Sequence, residues 1–477
     1  MPYCVYRAIL WERIIQYEIR KSLKCDGAMG GSGPMKCFRA AFAAVALLTG
    51  TVMAPGALAA SPPSWVDAAT GHKLVRISTT PGTTSLYFHQ NSFTPEGDKM
   101  VVQLPGAIAV VTVGTWEMTP LVKGENITLL FTGRRTRTAY YTSRARDDAG
   151  GASEIHAVDI DSGKKRLVAR ISGGTIGSIN ADETLLLGQV TLTDYRLNPD
   201  GTQRLPGQPA LAQRPGENDY SATRPDGTPY TYAEAKERRL HDRLHARLPM
   251  EIFTIDLRTG ERKVVVASDD WLNHIQFSPT DPHQILYCHE GPWHEVDRIW
   301  TIRTDGSGKT LVHKRMMNME IAGHEFFSPD GKTIWYDLQT PRGEVFWLAG
   351  YELATGKRHW FKVDRNHWSV HYNQSPDLRH FSGDGGDSEM VAHAPDGKYL
   401  YLFTPRAIPD VADIHAPNAA DLIEPGVLDA EKLVDMGKQD YRLEPNMVFT
   451  PNGKWIVFRG NFEGATHVYA VEVAKAR

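Results

Sequence analysis

Histidines and side-chain amides recur at one position of a short repeat. Each copy is an apolar run, a Ser/Thr-Pro turn that usually continues Asp/Asn-Gly, and a second apolar run. The position four residues before the Ser or Thr is Ile176 or Met390 in two copies, and in five copies it is Gln90, His274, His324, His371 and Asn446. Imidazoles that converge from several strands can bind a metal, transfer protons, or both. The alternative is that each histidine sits singly at a strand end and bonds to backbone.

A second dense group of ionisable residues is CHEGPWHEVDRIW, residues 288–300. It crowds His289 and Glu290 together with further histidine, acidic and arginine side chains into one short Gly-Pro turn. This composition predicts a binding loop at the mouth of a site, with His289 and Glu290 as substrate contacts. A hydrogen-bonded structural corner is the alternative reading.

One segment, YAEAKERRLHDRLHARL at 232–248, predicts a helix. Its arginines at 239, 243 and 247 follow an i, i+4, i+8 spacing, which puts them on one helical face. That face is either a solvated charged surface or a cationic flap over a polyanionic ligand. On the second reading Arg243 contacts the substrate.

The elements that must position these residues are β-hairpins. Pro, Asp and Gly in the repeat are turn residues, and the flanking runs are short, aromatic and β-branched. A second hairpin with an Asp/Thr-Gly turn follows most copies, so each unit is a four-stranded antiparallel sheet. The clean copies recur at just under fifty residues. This period predicts an all-β fold, a seven-bladed β-propeller with one helical insertion, with six or eight blades as alternatives. Strands near His72 and Val468 are expected to pair and close the ring.

Composition agrees with a globular chain. Its 477 residues are 41% hydrophobic and 23% charged, which excludes collagen-like, coiled-coil and largely disordered proteins. The formal net charge of -3 gives no indication of a nucleic-acid partner.

The first sixty residues predict export. Residues 35–60 have a basic start, an apolar stretch too short to span a bilayer comfortably, and a small-residue cleavage site at 57–59, as in a secretory signal peptide. Residues 1–34 are then an over-extended start, with a cytoplasmic extension as the alternative. The expected mature propeller, 61–477, is periplasmic or secreted. Only Cys288 remains in it, so no intrachain disulfide can form.

Four segments carry a family resemblance: WLNHIQFSP at 271–279, YCHEGPWHEVDRIWTI at 287–302, HEFFSPDG at 324–331 and FTPNGKWIVFRGNFEG at 449–464. They resemble the oligogalacturonate lyases of polysaccharide lyase family 22. These are seven-bladed propellers that cleave digalacturonate by β-elimination with the help of a divalent metal, typically Mn²⁺. The resemblance implies that His274 is the catalytic base and His324 a metal ligand.

The chain also departs from that family. Its His-Pro-His motif reads Glu444-Pro445-Asn446 here, Tyr441 replaces a glutamine ligand, and Glu251 aligns with the substrate-neutralising arginine. Glu444 and Asn446 can still offer oxygen ligands to Mn²⁺ or Ca²⁺. Arg247, four residues before Glu251, is the predicted replacement cation. Loss of the metal, or a different uronate, are the alternatives.

Two functions follow. The first is a periplasmic lyase that cleaves acidic uronic-acid oligosaccharides by β-elimination, with Arg247 assisting His274 and with substrate contacts from Gln90, Arg243, His289, Glu290 and His371. The second is a non-catalytic propeller, TolB-like or sugar-binding, that has lost its metal site. The retained histidines favour the first function, and the altered His-Pro-His motif favours the second.

Overall fold

The computed structural model describes residues 62–144, 152–193, 196–197, 203–204, 224, 226–388, 390–409, 411 and 416–476. The predicted signal peptide and the residues before it lie outside these ranges, and both stay predictions. Among the described helices, none is both long and apolar enough to cross a membrane.

The described strands of the ring form six sheets, of which one is eight-stranded and makes two blades; this confirms the all-β class and agrees with seven blades. Blade 1 contains β3 (Lys99–Leu104), β4 (Ala107–Thr112) and β5 (Met118–Lys123). Blade 2 contains β6 (Ile127–Thr132), β7 (Thr138–Arg144), β8 (Ser153–Asp159) and β9 (Lys165–Ile171). Blade 3 contains β10 (Thr175–Ile179), β11 (Leu185–Thr191), β14 (Met250–Asp256) and β15 (Arg262–Ser268). In blade 1 two isolated bridges to β3, Thr84 with Gln103 and Phe93 with Met100, take the place of an inner strand.

The later blades follow the same plan. Blade 4 contains β16 (Trp271–Phe277), β17 (Gln284–Glu290), β18 (Ile299–Arg303) and β19 (Thr310–Leu311). Blade 5 contains β20 (Ile321–Phe327), β21 (Thr333–Gln339), β22 (Phe346–Glu352) and β23 (Arg358–Val363). Blade 6 contains β24 (Tyr372–Gln374), β25 (Phe381–Gly383), β26 (Tyr399–Ala407) and β27 (Glu424–Asp435). The outer strands β23 and β27 pair in parallel, so blades 5 and 6 share one hydrogen-bonded sheet.

The two ends of the described chain close the ring, as predicted. Blade 7 contains β1 (Ser64–Val66), β2 (His72–Arg76), β28 (Val448–Phe449), β29 (Trp455–Gly460) and β30 (His467–Lys475). Strand β2 pairs antiparallel with β30, with Leu74 opposite Val471. This pairing leaves neither of the two strands with an open edge, because β1 and β29 cover their other sides.

The Pro-Asp-Gly turns connect the inner strand of a blade to the next strand. In blade 5 the hydroxyl of Ser328 donates to Asp330 Oδ1 at 2.6 Å, and Gly331 has a φ of 70°, which a side chain would strain. The copy near Met390 differs from this pattern, because it lies between β25 and β26 and not after an inner strand. In blade 6 the inner strand is therefore β24, which follows His371.

One helix, α1 (Tyr232–His245), lies in the insertion between β11 and β14, together with the short pair β12 (Arg196–Leu197) and β13 (Gln203–Arg204). A capping box formed by Thr231 and Glu234 starts the helix. The helix ends before Arg247, whose backbone is left-handed at a φ of 43°. The predicted end at residue 248 was therefore wrong, and Arg247 does not belong to the helical arginine face.

Candidate active site

Inner strands surround the central channel of a propeller, and all of them run in the same direction along it. We call the end at which they start the near mouth, and the end with the Ser/Thr-Pro turns the far mouth. His274 and His324 lie midway along β16 and β20, at a bulge in each strand. Their φ angles are 48° and 54°, and Asn446 has 53°. A bulge re-aims the side chain next to it, and His and Asn are enriched in left-handed backbone, so the recurrence of these residue types has a conformational cause as well as a chemical one.

His274 forms a pair with Glu290. Glu290 Oε2 lies 3.0 Å from Nε2 of His274, and the imidazole keeps 29% of its side-chain surface exposed. A carboxylate at this distance favours the tautomer with the proton on Nε2, which leaves the Nδ1 lone pair free to accept another proton. Burial lowers the pKa of His274, but the charge and hydrogen bond of Glu290, together with the charge of Glu325, outweigh burial and raise the pKa overall. His274 can therefore act as a base through Nδ1, while its Nε2 faces the carboxylate of Glu290.

Glu290 is held on both of its oxygens. It is 6% exposed, Arg298 Nη2 donates to Oε1 at 3.0 Å, and Asn273 Nδ2 donates to Oε2 at 2.9 Å. Burial raises its pKa, but Arg298 and His274 outweigh burial and hold the pKa well below its ordinary value. Glu290 therefore stays ionised beside His274. The segment 288–300 contains the end of β17, the turn and the start of β18; Glu290 is the last residue of β17, and Arg298 directly precedes β18.

A second histidine–carboxylate pair lies two inner strands further on, at the start of β24. His371 Nδ1 lies 2.7 Å from Asp384 Oδ2, and both residues are almost fully buried. Its other nitrogen, Nε2, lies 3.1 Å from the hydroxyl of Tyr87. Both nitrogens of His371 are thus occupied by partners within the protein. The ring of Tyr87 lies 5.2 Å from that of His371 and 6.1 Å from that of His274, so this tyrosine stands between the two imidazoles.

His324 lies against His371, with ring centroids 4.9 Å apart. Burial lowers the pKa of His324, and His371 lowers it further. Its Nδ1 is buried without a hydrogen-bond partner, and Oδ2 of Asp337 is 3.8 Å away. His324 is thus a neutral imidazole that lines a chamber at the near mouth.

The helix covers this chamber. Lys236 of α1, Trp293, His324, Asp337 and Trp368 are among its lining residues. Lys236 Nζ lies 3.9 Å from Glu444 Oε1 and 5.7 Å from the centre of the Trp293 ring. Burial raises the pKa of Glu444, but His371 and Lys236 outweigh it and the pKa is lowered. The chamber combines an ammonium group, an indole and a neutral imidazole, which suits an acidic sugar.

The predicted metal ligands do not converge. Among the described residues no group of three or more His, Cys, Asp or Glu side chains is placed to hold a metal ion. Asn446 Oδ1 accepts from the backbone N–H of Phe88 at 3.2 Å, and its Nδ2 donates to the carbonyl of Glu444, so its amide is already used. His324 and Glu444 alone do not complete a coordination shell for Mn²⁺ or Ca²⁺. We therefore derive no step through a metal.

Four predicted contacts lie away from the chamber. Arg247 pairs with Asp269 and Asp270 on the surface, and His289 Nε2 lies 3.3 Å from the same Asp270. Arg243 stacks over Trp271 at 5.3 Å. Gln90 lines a cavity at the far mouth, because residues 88–90 form a turn where other blades have an inner strand. Counting to the same repeat position thus does not place Gln90 beside the histidines. Because the helix ends at His245, Arg247 does not reach inward.

Sequence reasoning missed Tyr87, Asp384 and Lys236. Tyr87 lies in the irregular blade, where no repeat register exists to locate it. Asp384 lies in GDGG at 383–386, directly after β25, and its partner is thirteen residues earlier. Lys236 is on the predicted helix, but the regular arginine spacing drew attention to a different face. A single lysine or tyrosine carries no spacing signal of its own.

Comparisons with known proteins agree with these motifs. A family model described as oligogalacturonate lyase matches residues 231–348. An oligogalacturonide lyase of Pectobacterium atrosepticum is 24% identical over 229 residues, or 46% of this chain and 55% of that protein. An oligogalacturonate lyase of Dickeya dadantii is 26% identical over the same shares. The chain thus spans about half the length of the curated relatives it matches.

Solved structures extend the likeness to most of the chain. An oligogalacturonate lyase in complex with manganese has a TM-score of 0.64 at 20% identity, over 87% of this chain and 96% of the other. An oligogalacturonate lyase from Vibrio parahaemolyticus has a TM-score of 0.63 at 21% identity over the same shares. The chain shares the fold of these proteins, and the family model and curated relatives confirm its resemblance to the oligogalacturonate lyases.

Proposed function

We propose that this protein is a lyase that cleaves uronic-acid oligosaccharides, such as oligogalacturonides, by β-elimination. The observation that carries the proposal is the His274–Glu290 pair, a positioned imidazole with a free Nδ1. Ring contacts through Tyr87 and His371 connect His274 to His324, which lines a chamber suited to an acidic sugar. The match to oligogalacturonate lyases over 231–348 supports it, because that range contains His274, Glu290, Arg298, His324 and Lys236.

The reaction starts at C5 of the uronate, next to its carboxylate. Nδ1 of His274 takes the C5 proton, and the electron pair of that C–H bond becomes the C4–C5 double bond. The C4–O4 bond then breaks, and its electrons leave on O4. Lys236 neutralises the uronate carboxylate as charge develops.

The leaving oxygen needs a proton, and Tyr87 is placed to donate it. Burial raises the pKa of Tyr87 well above its ordinary value, and Glu444 raises it further. Its hydroxyl thus keeps its proton until a strong base such as the O4 alkoxide forms. Asp384 orients His371, and His371 holds the Tyr87 oxygen, so both act as positioning residues.

The predicted signal peptide supports action outside the cytoplasm, in the periplasm or beyond the cell. N-terminal sequencing of exported protein is expected to find a start near Ala60 or Ser61. A mature start at Met1 would reject export and leave the lyase proposal untouched.

A non-catalytic, sugar-binding propeller is the second candidate. The observation that favours it is Asn446, whose amide is taken up by backbone where the family resemblance implies a metal ligand. The two candidates differ in one assay. A lyase mixed with oligogalacturonate generates the ultraviolet absorbance of the new C4–C5 double bond, while a binding protein shows saturable binding without it. Treatment with a chelator in the same assay reports whether turnover depends on a divalent metal such as Mn²⁺.

A further inference from the structure

The far mouth of the channel holds a cavity of about 280 Å³ that shares no lining residue with the chamber at the near mouth. Phenylalanine and proline residues line it together with polar residues. Phe88 belongs to the turn in blade 1, and Phe277, Phe326 and Phe449 lie at or near the ends of inner strands. A smaller pocket continues from it toward blade 2, and the two share Gln90, Arg134 and Gln276 among their lining residues.

Arg134 is the charged residue of this cavity. It belongs to the loop between β6 and β7, and no carboxylate lines either pocket. In the part of the chain that the structure describes, its guanidinium has no hydrogen bond and no ion pair. Burial lowers the pKa of Arg134 to about 10, so it still carries its charge at neutral pH. A half-buried cation without an anionic partner is unfavourable, and a bound anion would remove that penalty.

Neutral hydrogen-bond groups line the same pockets as the guanidinium. The hydroxyl of Thr132 is fully buried, lines the smaller pocket and has no partner. Gln90 accepts a hydrogen bond on Oε1 from the backbone of Tyr87, while its Nε2 has no partner among the described residues. His89, which lines both pockets, is neutral because burial lowers its pKa to about 3. One cation with uncharged donors beside it suits a single carboxylate.

We propose that the far mouth is a second binding site, which takes a small organic acid. Its carboxylate pairs with Arg134 and accepts hydrogen bonds from Gln90 and Thr132, and its less polar body lies against the phenylalanine and proline walls. The cavity volume limits the ligand to about the size of a monosaccharide acid. This site is independent of the lyase proposal, since none of its residues lines the chamber.

The test is calorimetric titration of the full protein with galacturonate, with galactose as the neutral counterpart and inorganic phosphate as the inorganic anion. All titrations use a Lys236→Met background, in which the chamber has lost its ammonium group. In this background galacturonate is expected to bind at the far mouth. Adding Arg134→Met is expected to weaken that binding about tenfold or more, whereas Arg135→Met, at the exposed neighbour, is expected to leave it unchanged. Galactose is expected to bind much more weakly than galacturonate.

Thermal stability supplies a second readout. Without ligand, Arg134→Met is expected to unfold at the same temperature as the parent or higher, because it removes an unpaired charge. A lower unfolding temperature, or failure to fold, would mean that Arg134 is structural and would overturn the proposal. Equal galacturonate affinity with and without Arg134, no galacturonate binding in the Lys236→Met background, or binding of phosphate alone would also overturn it.

Discussion

The His274–Glu290 and His371–Asp384 pairs occupy the same repeat position on two inner strands, yet their surroundings differ. His274 keeps 29% of its side chain exposed and has one nitrogen free. His371 is 2% exposed, with Asp384 on one nitrogen and Tyr87 on the other. The comparison teaches that a histidine–carboxylate pair can exchange protons with a ligand only where one nitrogen stays open. We call His274–Glu290 the open pair and His371–Asp384 the closed pair. The closed pair instead orients Tyr87.

The largest expected effect is on the closed pair. Asp384 is fully buried and accepts from the backbone N–H groups of His371 and Asn446 as well as facing His371 Nδ1. Replacing Asp384 with Ala leaves these donors unpaired, and we expect a loss of about 3–5 kcal/mol in the free energy of unfolding. Denaturant titration measures it. Asp305→Ala, on an exposed turn, is the control and should lose less than about 1 kcal/mol. A small loss at Asp384 would mean that the closed pair is not structural.

The open pair is expected to respond in turnover. Replacing His274 with Ala removes the base, so kcat should fall about 10²-fold or more with KM largely unchanged. Steady-state kinetics on oligogalacturonate measures both constants. The control is His283→Ala, an exposed histidine that bonds to Thr304 on the outside of blade 4. Wild-type turnover in His274→Ala would reject the base assignment.

Tyr87 tests what the closed pair positions. Tyr87→Phe keeps the ring between the two imidazoles and removes only the hydroxyl, so we expect kcat to fall by about 10²-fold while KM and folding change little. An equal fall in stability and activity would instead indicate that the hydroxyl serves packing alone. Circular dichroism alongside kinetics separates these outcomes.

Lys236 is expected to give a smaller effect. Lys236→Met keeps a long apolar side chain but removes the ammonium group and its cation–π contact with Trp293, so kcat/KM should fall about tenfold on a charged uronate. Measuring the same variant on methyl-esterified substrate supplies the control, since an ester has no charge to neutralise. If both substrates lose activity equally, Lys236 does not read the carboxylate.

The sequence predicted the architecture better than the site. Turn residues predict where the hairpins lie, and a repeat period under fifty residues predicts the propeller. Both signals can be recognised because they are local in the sequence. Counting to one position of the repeat also placed His274, His324, His371 and Asn446 near one another, since equivalent positions of a closed ring converge. It failed at Gln90, where blade 1 replaces the inner strand with a turn, and at Arg247, where the helix stops short. Partners such as Asp384 and Lys236 are set by packing between elements far apart in sequence, which no single-segment pattern records.

The pH dependence of a Glu290→Gln variant tests the central claim that Glu290 controls His274. Only neutral His274 can accept the C5 proton, so wild-type kcat/KM should rise with pH as the imidazole loses its proton, at a pKa above the ordinary value of 6.5. Without the charge and hydrogen bond of Glu290, burial lowers that pKa and outweighs the opposing charge of Glu325, so the acidic limb should move to lower pH. A limb that stays at the wild-type pH in Glu290→Gln would contradict the account, because the titrating base would then not be the imidazole paired with Glu290.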